Sequence, residues 1–368
     1  MKTPPPNSEL VPEQGSIPPK LALRGADLKQ IEAVVAELDA PKFRAAQIYQ
    51  WVFRHGISSF DEMKNLPADL REDLALVAVL GGGKLTRAQG REDKTRKVLF
   101  ELADGRHIES VLMRDEGKGR TSLCVSSQVG CAVGCTFCLT GYGGFQRNMT
   151  VDEIVGQVVS IRRELMMKGE RIHTLVFMGM GEPMLNMDTV IRSIRLLSDP
   201  EGIAISPRRI TVSTAGVIPG IRDFGAAATG ANIAVSLNAT TDESRENIMP
   251  LNKRWPIADL IDALADFPMK QRQRITIEYV LMKGVNDTLE DAHRLKALLR
   301  PLRCKINLIM FNPHDYLDFE PVGEARLDEF GQILADAEYT VSVRWSKGRE
   351  IEAACGQLAA HYLEKAKA

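Results

Sequence analysis

The spacing of hydrophobic and polar positions changes three times along this 368-residue chain. The first 20 residues hold Pro4, Pro5, Pro6, Pro12, Pro18 and Pro19 with no apolar periodicity, which predicts a disordered or extended tail. Between 21 and 80, apolar residues recur at three- and four-residue spacings, as in the run from Phe43 to Phe53, and predict amphipathic helices. Two apolar runs at 96–102 and 108–113 flank Asp104-Gly105, which predicts a hairpin. Residues 21–115 therefore read as a small accessory domain of helices plus a hairpin, and residues 116–368 as a separate, larger domain.

From about residue 120, β-rich runs at 123–127, 174–178, 210–213, 233–237, 275–281 and 306–311 alternate with helical stretches. The helices fall near 151–168, 187–198, 217–228, 257–267, 288–300 and 325–337, and Thr150 with Glu153 makes a capping box for the first. Such alternation predicts an α/β fold, a parallel sheet with helices outside. Six units are two short of an eight-fold barrel, so a partial barrel and an open sheet both satisfy the pattern. The run 339–345 reads as one more strand before a C-terminal helix.

Composition narrows the class. Hydrophobic residues at 44% and charged residues at 26% exclude wholesale disorder and coiled coil. With 47 basic against 48 acidic residues, a nucleic-acid surface must be local. One local excess exists: Lys84, Arg87, Arg91, Lys94, Arg96 and Lys97 face only Glu92 and Asp93 between 84 and 97. That run is either a solvated face or a set of phosphate contacts. No apolar run approaches the roughly 18 residues that span a bilayer, and the N-terminus has no signal-like apolar core, so a cytosolic location is expected.

The cysteines carry the chemistry. Of six, Cys131, Cys135 and Cys138 fall within eight residues as C-x3-C-x2-C, directly after the first strand of the α/β region. Structural zinc wants four closed ligands, whereas three thiolates on a cubane leave one iron open to a small molecule. Spacing favours an iron–sulfur cluster and leaves zinc as the alternative. Cys124, in an apolar strand, and Cys304 read as buried hydrophobes on local grounds. Cys355 precedes Gly356, a turn or close approach where thiol chemistry is feasible. Gly181, Glu182, Ser213, Ser236, Asn238 and Asn312 lie at strand ends, where α/β folds place ligands, though turn and cap roles account for each equally well. Glu109, between Ile108 and Ser110, reads as a solvated or ion-paired strand residue.

The cysteine motif, with Phe137 before its last cysteine, resembles the radical S-adenosylmethionine (SAM) superfamily. Further motifs narrow the match: 123–131, Gly144-Phe145-Gln146-Arg147-Asn148, Met178-Gly179-Met180-Gly181-Glu182-Pro183, 211–214, Ser236-Leu237-Asn238, Phe311-Asn312-Pro313 and 353–358. Together they resemble the dual-specificity adenine carbon-2 RNA methyltransferases (RlmN type) over about residues 25–360. The resemblance implies a partial (β/α)6 barrel with an N-terminal RNA-binding accessory domain. It implies one 4Fe-4S cluster on Cys131, Cys135 and Cys138, and SAM held by Gly181, Glu182, Ser213, Ser236, Leu237, Asn238 and Asn312. Cys355 is then the methyl carrier, Glu109 the proton acceptor and Cys124 the thiolate that frees the product, leaving a Cys124–Cys355 disulfide. The implied substrates are 23S ribosomal RNA and transfer RNA beside the anticodon, with two SAM consumed per methylation. A low-potential electron donor such as flavodoxin and a monomeric enzyme are also implied. Two departures, the loop 314–320 without a Pro-Gly pattern and Glu350 in place of Asp, bear on substrate-loop detail. The alternatives are a carbon-8 adenosine methyltransferase of the resistance type, which shares the two-cysteine chemistry, and a non-catalytic zinc-containing RNA-binding protein.

Overall fold

The computed structural model describes residues 20–358 except 116, 118, 346, 347, 349 and 350. The proline-rich tail up to 19, Glu350 and the stretch beyond 358, where a C-terminal helix is expected, lie outside the described residues.

The N-terminal unit is helical. Strand β1 (Leu21–Ala22) is followed by α1 (Leu28–Glu37), α2 (Phe43–Tyr49) and α3 (Ala68–Val77), and β2 (Ala78–Val79) returns parallel to β1. Helix α1 starts where Asp27 accepts the Gln30 N–H at 2.9 Å and the Gln30 side chain accepts the Asp27 N–H at 3.1 Å, which satisfies two otherwise orphaned donors. A π-helical turn over Gln50–His55 extends α2 and buries Val52 and Phe53 with Tyr49.

The sheet then begins with three antiparallel strands, β3 (Lys84–Gly90), β4 (Thr95–Glu101) and β5 (His107–Asp115). Next come β6 (Arg120–Cys124) and a small hairpin of β7 (Gln128–Gly130) and β8 (Phe145–Asn148), with α4 (Leu139–Tyr142) in its loop. Regular alternation follows: α5 (Val151–Met167), β9 (Thr174–Phe177), α6 (Met187–Ser198), β10 (Ile210–Thr214), α7 (Ile218–Ala226) and β11 (Asn232–Ser236). After α8 (Asp242–Ile248) and α9 (Ile257–Ala265) come β12 (Ile275–Leu281), α10 (Leu289–Leu298), β13 (Cys304–Met310), α11 (Glu324–Ala335) and β14 (Val341–Arg344).

All but the short pairs join one ten-stranded sheet in the order β14-β13-β12-β11-β10-β9-β6-β5-β4-β3. From β6 through β9 to β14 every pairing is parallel, with the helices as crossovers. This is a partial (β/α)6 barrel carrying one further strand, β14. Helix α6 shows why the helices sit outside: Val190, Ile191, Ile194, Leu197 and their neighbours form one buried stripe at helical spacing. The capping box at Thr150 forms, with the Thr150 N–H donating to Glu153 at 2.9 Å.

Sequence periodicity missed α8, β3 and the β7–β8 hairpin, all short or polar. The hairpin expected within the accessory region is part of the barrel sheet: β5 pairs with β6, Val111 opposite Cys124, so the boundary expected at 115 falls inside a continuous sheet. The helical unit docks on α5 and α6. Arg163 donates to Glu62 at 2.9 Å, and the Tyr49 hydroxyl donates to Asp199 at 2.7 Å. Among the described residues, no helix is long and apolar enough to cross a membrane.

Candidate active site

The C-terminal ends of β9 to β13 open into one pocket, and the cysteine loop closes one side of it. That loop leaves β7, and backbone bonds fix it. The Cys131 N–H donates to Gly144 O at 3.0 Å, the Thr136 N–H to Ile248 O at 3.0 Å and the Cys138 N–H to Cys135 O at 3.2 Å. Cys131, Cys135 and Cys138 all line the pocket. Burial, and then one another's charge, pushes the Cys135 thiol well up; burial and the neighbouring Cys138 and Glu182 raise Cys131 to about 12. Three thiols crowded in this way accept a cationic centre more readily than they ionise alone. Among the described residues no three His, Cys, Asp or Glu side chains gather as round a single ion. A donor set of three thiols along one pocket wall, with free space in front, fits a cluster that keeps one iron open.

The opposite wall comes from strand ends. Gly181 has φ +97°, and a Cβ there would lie 2.4 Å from the Gln128 Cβ, so the position takes no side chain. The Glu182 N–H donates to Gln128 Oε1 at 2.8 Å. Its carboxylate accepts the N–H of Met184 at 3.0 Å and of Ala215 at 2.7 Å, while burial pushes its pKa up to about 7. Ser213 and Ser236 line the same pocket. Asn238 holds a left-handed φ of +57°, its Oδ1 accepting the Val280 N–H at 2.9 Å and its carbonyl accepting from Asn286 at 2.6 Å. Asn312 donates to Cys355 O at 3.4 Å. Leu237 is the exception among the expected SAM contacts. Its side chain is buried away from the pocket, and only its backbone helps shape the wall, donating to Glu278 O at 3.0 Å.

Cys124 and Cys355, distant in sequence, come near enough for Cys355 to raise the Cys124 thiol, with Cys355 lining the pocket and Cys124 behind its wall. Cys124 is buried at the end of β6, and its thiol is pushed well up by burial first and by Cys355 second. Cys355 reaches solvent but lies in a concave wall, where burial and then Glu278 raise it to about 11. The turn that presents it is tied to the cluster loop, with Leu139 N–H donating to Gly356 O at 2.7 Å. Glu109 does not line the pocket; it is buried on β5, two residues from Val111, the partner of Cys124, and so on the same face of the sheet. Cys304 is buried in β13, as its surroundings predict.

The basic run at 84–97 is not the surface its sequence suggests. Arg96 and Lys97 are both buried, Arg96 paired with Glu164 of α5 and Lys97 with Glu109. Strand alternation sends these two adjacent residues to opposite faces, and both faces are covered. Lys84, Arg87, Arg91 and Lys94 remain exposed.

Sequence reasoning passed over three residues that shape the site. Glu278, a carboxylate inside the apolar run 275–281, lines the pocket; its charge in a buried strand was the available signal. Gln157 grips the corner beside Cys124, accepting the Ser126 N–H at 2.9 Å and donating to Ser126 O at 3.0 Å. Arg245, on the missed helix α8, is fully buried and donates to Leu237 O at 2.9 Å, Ala215 O at 2.6 Å, Ser236 O at 3.3 Å and Asn252 Oδ1 at 2.9 Å. Arg245→Met removes one donor from four acceptors, of which Leu237 O keeps the Ala239 N–H at 2.8 Å. A loss of roughly 3 kcal/mol is expected in urea unfolding of the metal-free protein, and a loss below about 1 kcal/mol would show the pocket wall holds without it.

Known proteins resemble this chain along nearly its whole length. Residues 21–80 match the family model for the ribosomal RNA large subunit methyltransferase N-terminal domain, and residues 125–295 match the radical SAM superfamily model. A dual-specificity RNA methyltransferase RlmN from Geotalea uraniireducens is 44% identical over 92% of this chain and 96% of that protein. Its counterpart from Desulfosudis oleivorans is 48% identical over 86% of this chain and 85% of that protein. The crystal structure of a radical SAM methyltransferase from Sphaerobacter thermophilus superposes with a TM-score of 0.89 at 42% identity, covering 92% of this chain and 99% of that one.

Proposed function

Because the chain belongs to the dual-specificity RNA methyltransferase RlmN family of radical SAM enzymes, we infer that it methylates carbon 2 of adenosine in 23S ribosomal RNA and in transfer RNA beside the anticodon. The observation that carries this reading is that Cys355 lines the same pocket as the C-x3-C-x2-C thiols, with Cys124 near enough to feel it. A three-thiol cluster site alone serves many reactions; two further thiols at its edge suit a transfer through the protein itself.

Carbon 2 of adenine is an electron-poor amidine carbon and does not attack a SAM methyl group. Cys131, Cys135 and Cys138 would hold a 4Fe-4S cluster, which when bound would supply the electron for cleavage of SAM to methionine and a 5'-deoxyadenosyl radical. Gly181, Glu182, Ser213, Ser236, Asn238 and Asn312, with the backbone at Leu237, hold SAM against it. Cys355 first takes a methyl from one SAM as its sulfur–carbon bond forms and the SAM sulfonium–methyl bond breaks. Loss of a hydrogen atom from that methyl to the 5'-deoxyadenosyl radical, giving 5'-deoxyadenosine, allows addition to carbon 2, which joins RNA to Cys355 through a methylene. Glu109 accepts the carbon-2 proton while the radical adduct gives up one electron, for which the oxidised cluster that Cys131, Cys135 and Cys138 would hold would be the acceptor. The Cys124 thiolate then attacks the Cys355 sulfur, the carbon–sulfur bond breaks, and the carbon takes up a proton as the new methyl group. A Cys124–Cys355 disulfide remains to be reduced.

In this reading the protein works in the cytoplasm as a monomer, supplied by a low-potential donor such as flavodoxin. Residues 21–115 act as the RNA-binding part through the exposed Lys84, Arg87 and Lys94 rather than through Arg96 and Lys97. The test is an anaerobic assay with SAM, reductant and each RNA, followed by digestion and mass spectrometry against both methyladenosine standards. 2-Methyladenosine is expected from both RNAs. 8-Methyladenosine, or no SAM-dependent product, would overturn the assignment.

A further inference from the structure

The segment that carries Cys355 rests on the barrel-side hairpin. A Cβ on Gly348 would meet the Thr95 side chain of β4 at 2.8 Å, and one on Gly90 would meet the Ile351 side chain at 2.7 Å, so each glycine lets a side chain of the other segment pack on its backbone. Lys97 lies next along β4, beyond Thr95 and Arg96, the partner of Gly90. Its Nζ stands 3.5 Å from Glu109 Oε1 and 3.4 Å from the carbonyl oxygen of Glu352, three residues before Cys355. The side chains of Lys97 and Glu109 are each only 6% exposed. Glu352 itself holds a left-handed φ of +51°, unfavourable for a side-chain-bearing residue, and its carboxylate meets His314 Nε2 at 3.2 Å. Its strained backbone is thus gripped at both ends.

An ammonium buried in a sheet interior costs free energy unless a charge and good acceptors repay it. Here one acceptor is the carboxylate read above as the proton acceptor, and the other belongs to the chain that presents the methyl-carrying thiol. A structural ion pair of the hairpin alone would not need the second. We propose that Lys97 is a positioning residue for the methyl transfer, tying Glu109 to the Cys355 segment so that the carboxylate faces the carbon-2 proton once the RNA adduct has formed. The proposal rests on the reading of Glu109 and Cys355 given above. It assigns Lys97 to the reaction centre and removes it from the RNA surface.

Lys97 does not line the pocket that Cys131, Cys135 and Cys138 share, and His314 still holds Glu352 when the ammonium is gone. Lys97→Met should therefore cleave SAM and add to RNA, then resolve slowly. The experiment is an anaerobic single turnover of the reconstituted enzyme with RNA for the wild type, Lys97→Met, Lys97→Arg and Glu109→Gln. It reads 5'-deoxyadenosine, protein-linked RNA on a denaturing gel, and 2-methyladenosine. Lys97→Met is expected to form product about 10- to 100-fold more slowly, with linked RNA accumulating as it does for Glu109→Gln, since misplacing a reacting group by about 1 Å costs that much. Lys97→Arg should restore most of the product. Product formation by Lys97→Met at the wild-type rate overturns the proposal. So does a parallel loss of 5'-deoxyadenosine, which marks a folding defect, or weakened RNA affinity with normal resolution, which marks a phosphate contact. Normal turnover by Glu109→Gln would instead sink the reading of Glu109 on which the proposal stands.

Discussion

Cys124→Ala will leave RNA covalently attached to the protein, and the attachment will vanish when Cys355→Ala is added. In the proposed mechanism the two cysteines are unequal. Cys355 would carry the methylene, so without it no carbon–carbon bond to RNA would form. Cys124 would act only after that bond exists, so its loss would stall the adduct rather than prevent it. Their surroundings match this order. Cys355 opens to the pocket, where a SAM methyl and a base can reach it, while Cys124 is buried at the end of β6 beside it. Burial raises the Cys124 thiol far above its ordinary range. Were both cysteines mere packing, alanine at either site would cost about 1 kcal/mol of stability and neither variant would trap RNA. The measurement is a denaturing gel with end-labelled RNA after anaerobic turnover. Trapping by the Cys355 variant, or normal turnover by either, contradicts these roles.

Loss of any one of Cys131, Cys135 and Cys138 will abolish 5'-deoxyadenosine formation altogether. The three thiols sit on one short loop and share one pocket, so no other described cysteine takes the place of a missing ligand: Cys304 is buried in β13, Cys124 is buried at the end of β6, and Cys355 stands on a separate turn tied to the far end of the loop through Leu139. Iron content and the visible absorption of the anaerobically reconstituted protein should fall together with SAM cleavage. The fold should survive, because the loop is anchored by backbone bonds to Gly144 and Ile248 rather than by its sulfurs. A triple alanine variant that binds stoichiometric iron and still produces 5'-deoxyadenosine would refute the ligand set. A variant that loses iron and also unfolds would show that the sulfurs, not the backbone, hold the loop.

The amino-acid sequence by itself determined the parts of this protein that depend on local pattern. Strand–helix alternation placed β9 to β13 and the helices between them within a few residues, because a buried strand and an amphipathic helix each write their own period into the chain. The same holds for the Thr150 capping box and for the cysteine loop, whose three ligands are neighbours along the backbone. Family motifs then pointed to Glu109, Cys124 and Cys355, which no local rule distinguishes from packing residues.

Only the tertiary structure decided which charges face outward. Arg96 and Lys97 are indistinguishable in sequence from their exposed neighbours Arg91 and Lys94, yet burial depends on what covers β4, and the covers are α5 and the segment before Cys355. Helix α8 was missed because its sequence, 242–248, is almost wholly polar; its one fully buried residue of size, Arg245, gains its place from four acceptors scattered over the fold. The continuity of the hairpin with the barrel likewise comes from pairing between strands, Val111 against Cys124, which leaves no periodic trace in either one. Contacts between residues near in sequence repeat at fixed spacings and can be read from the chain. Those between distant residues form only where folding brings the two partners together.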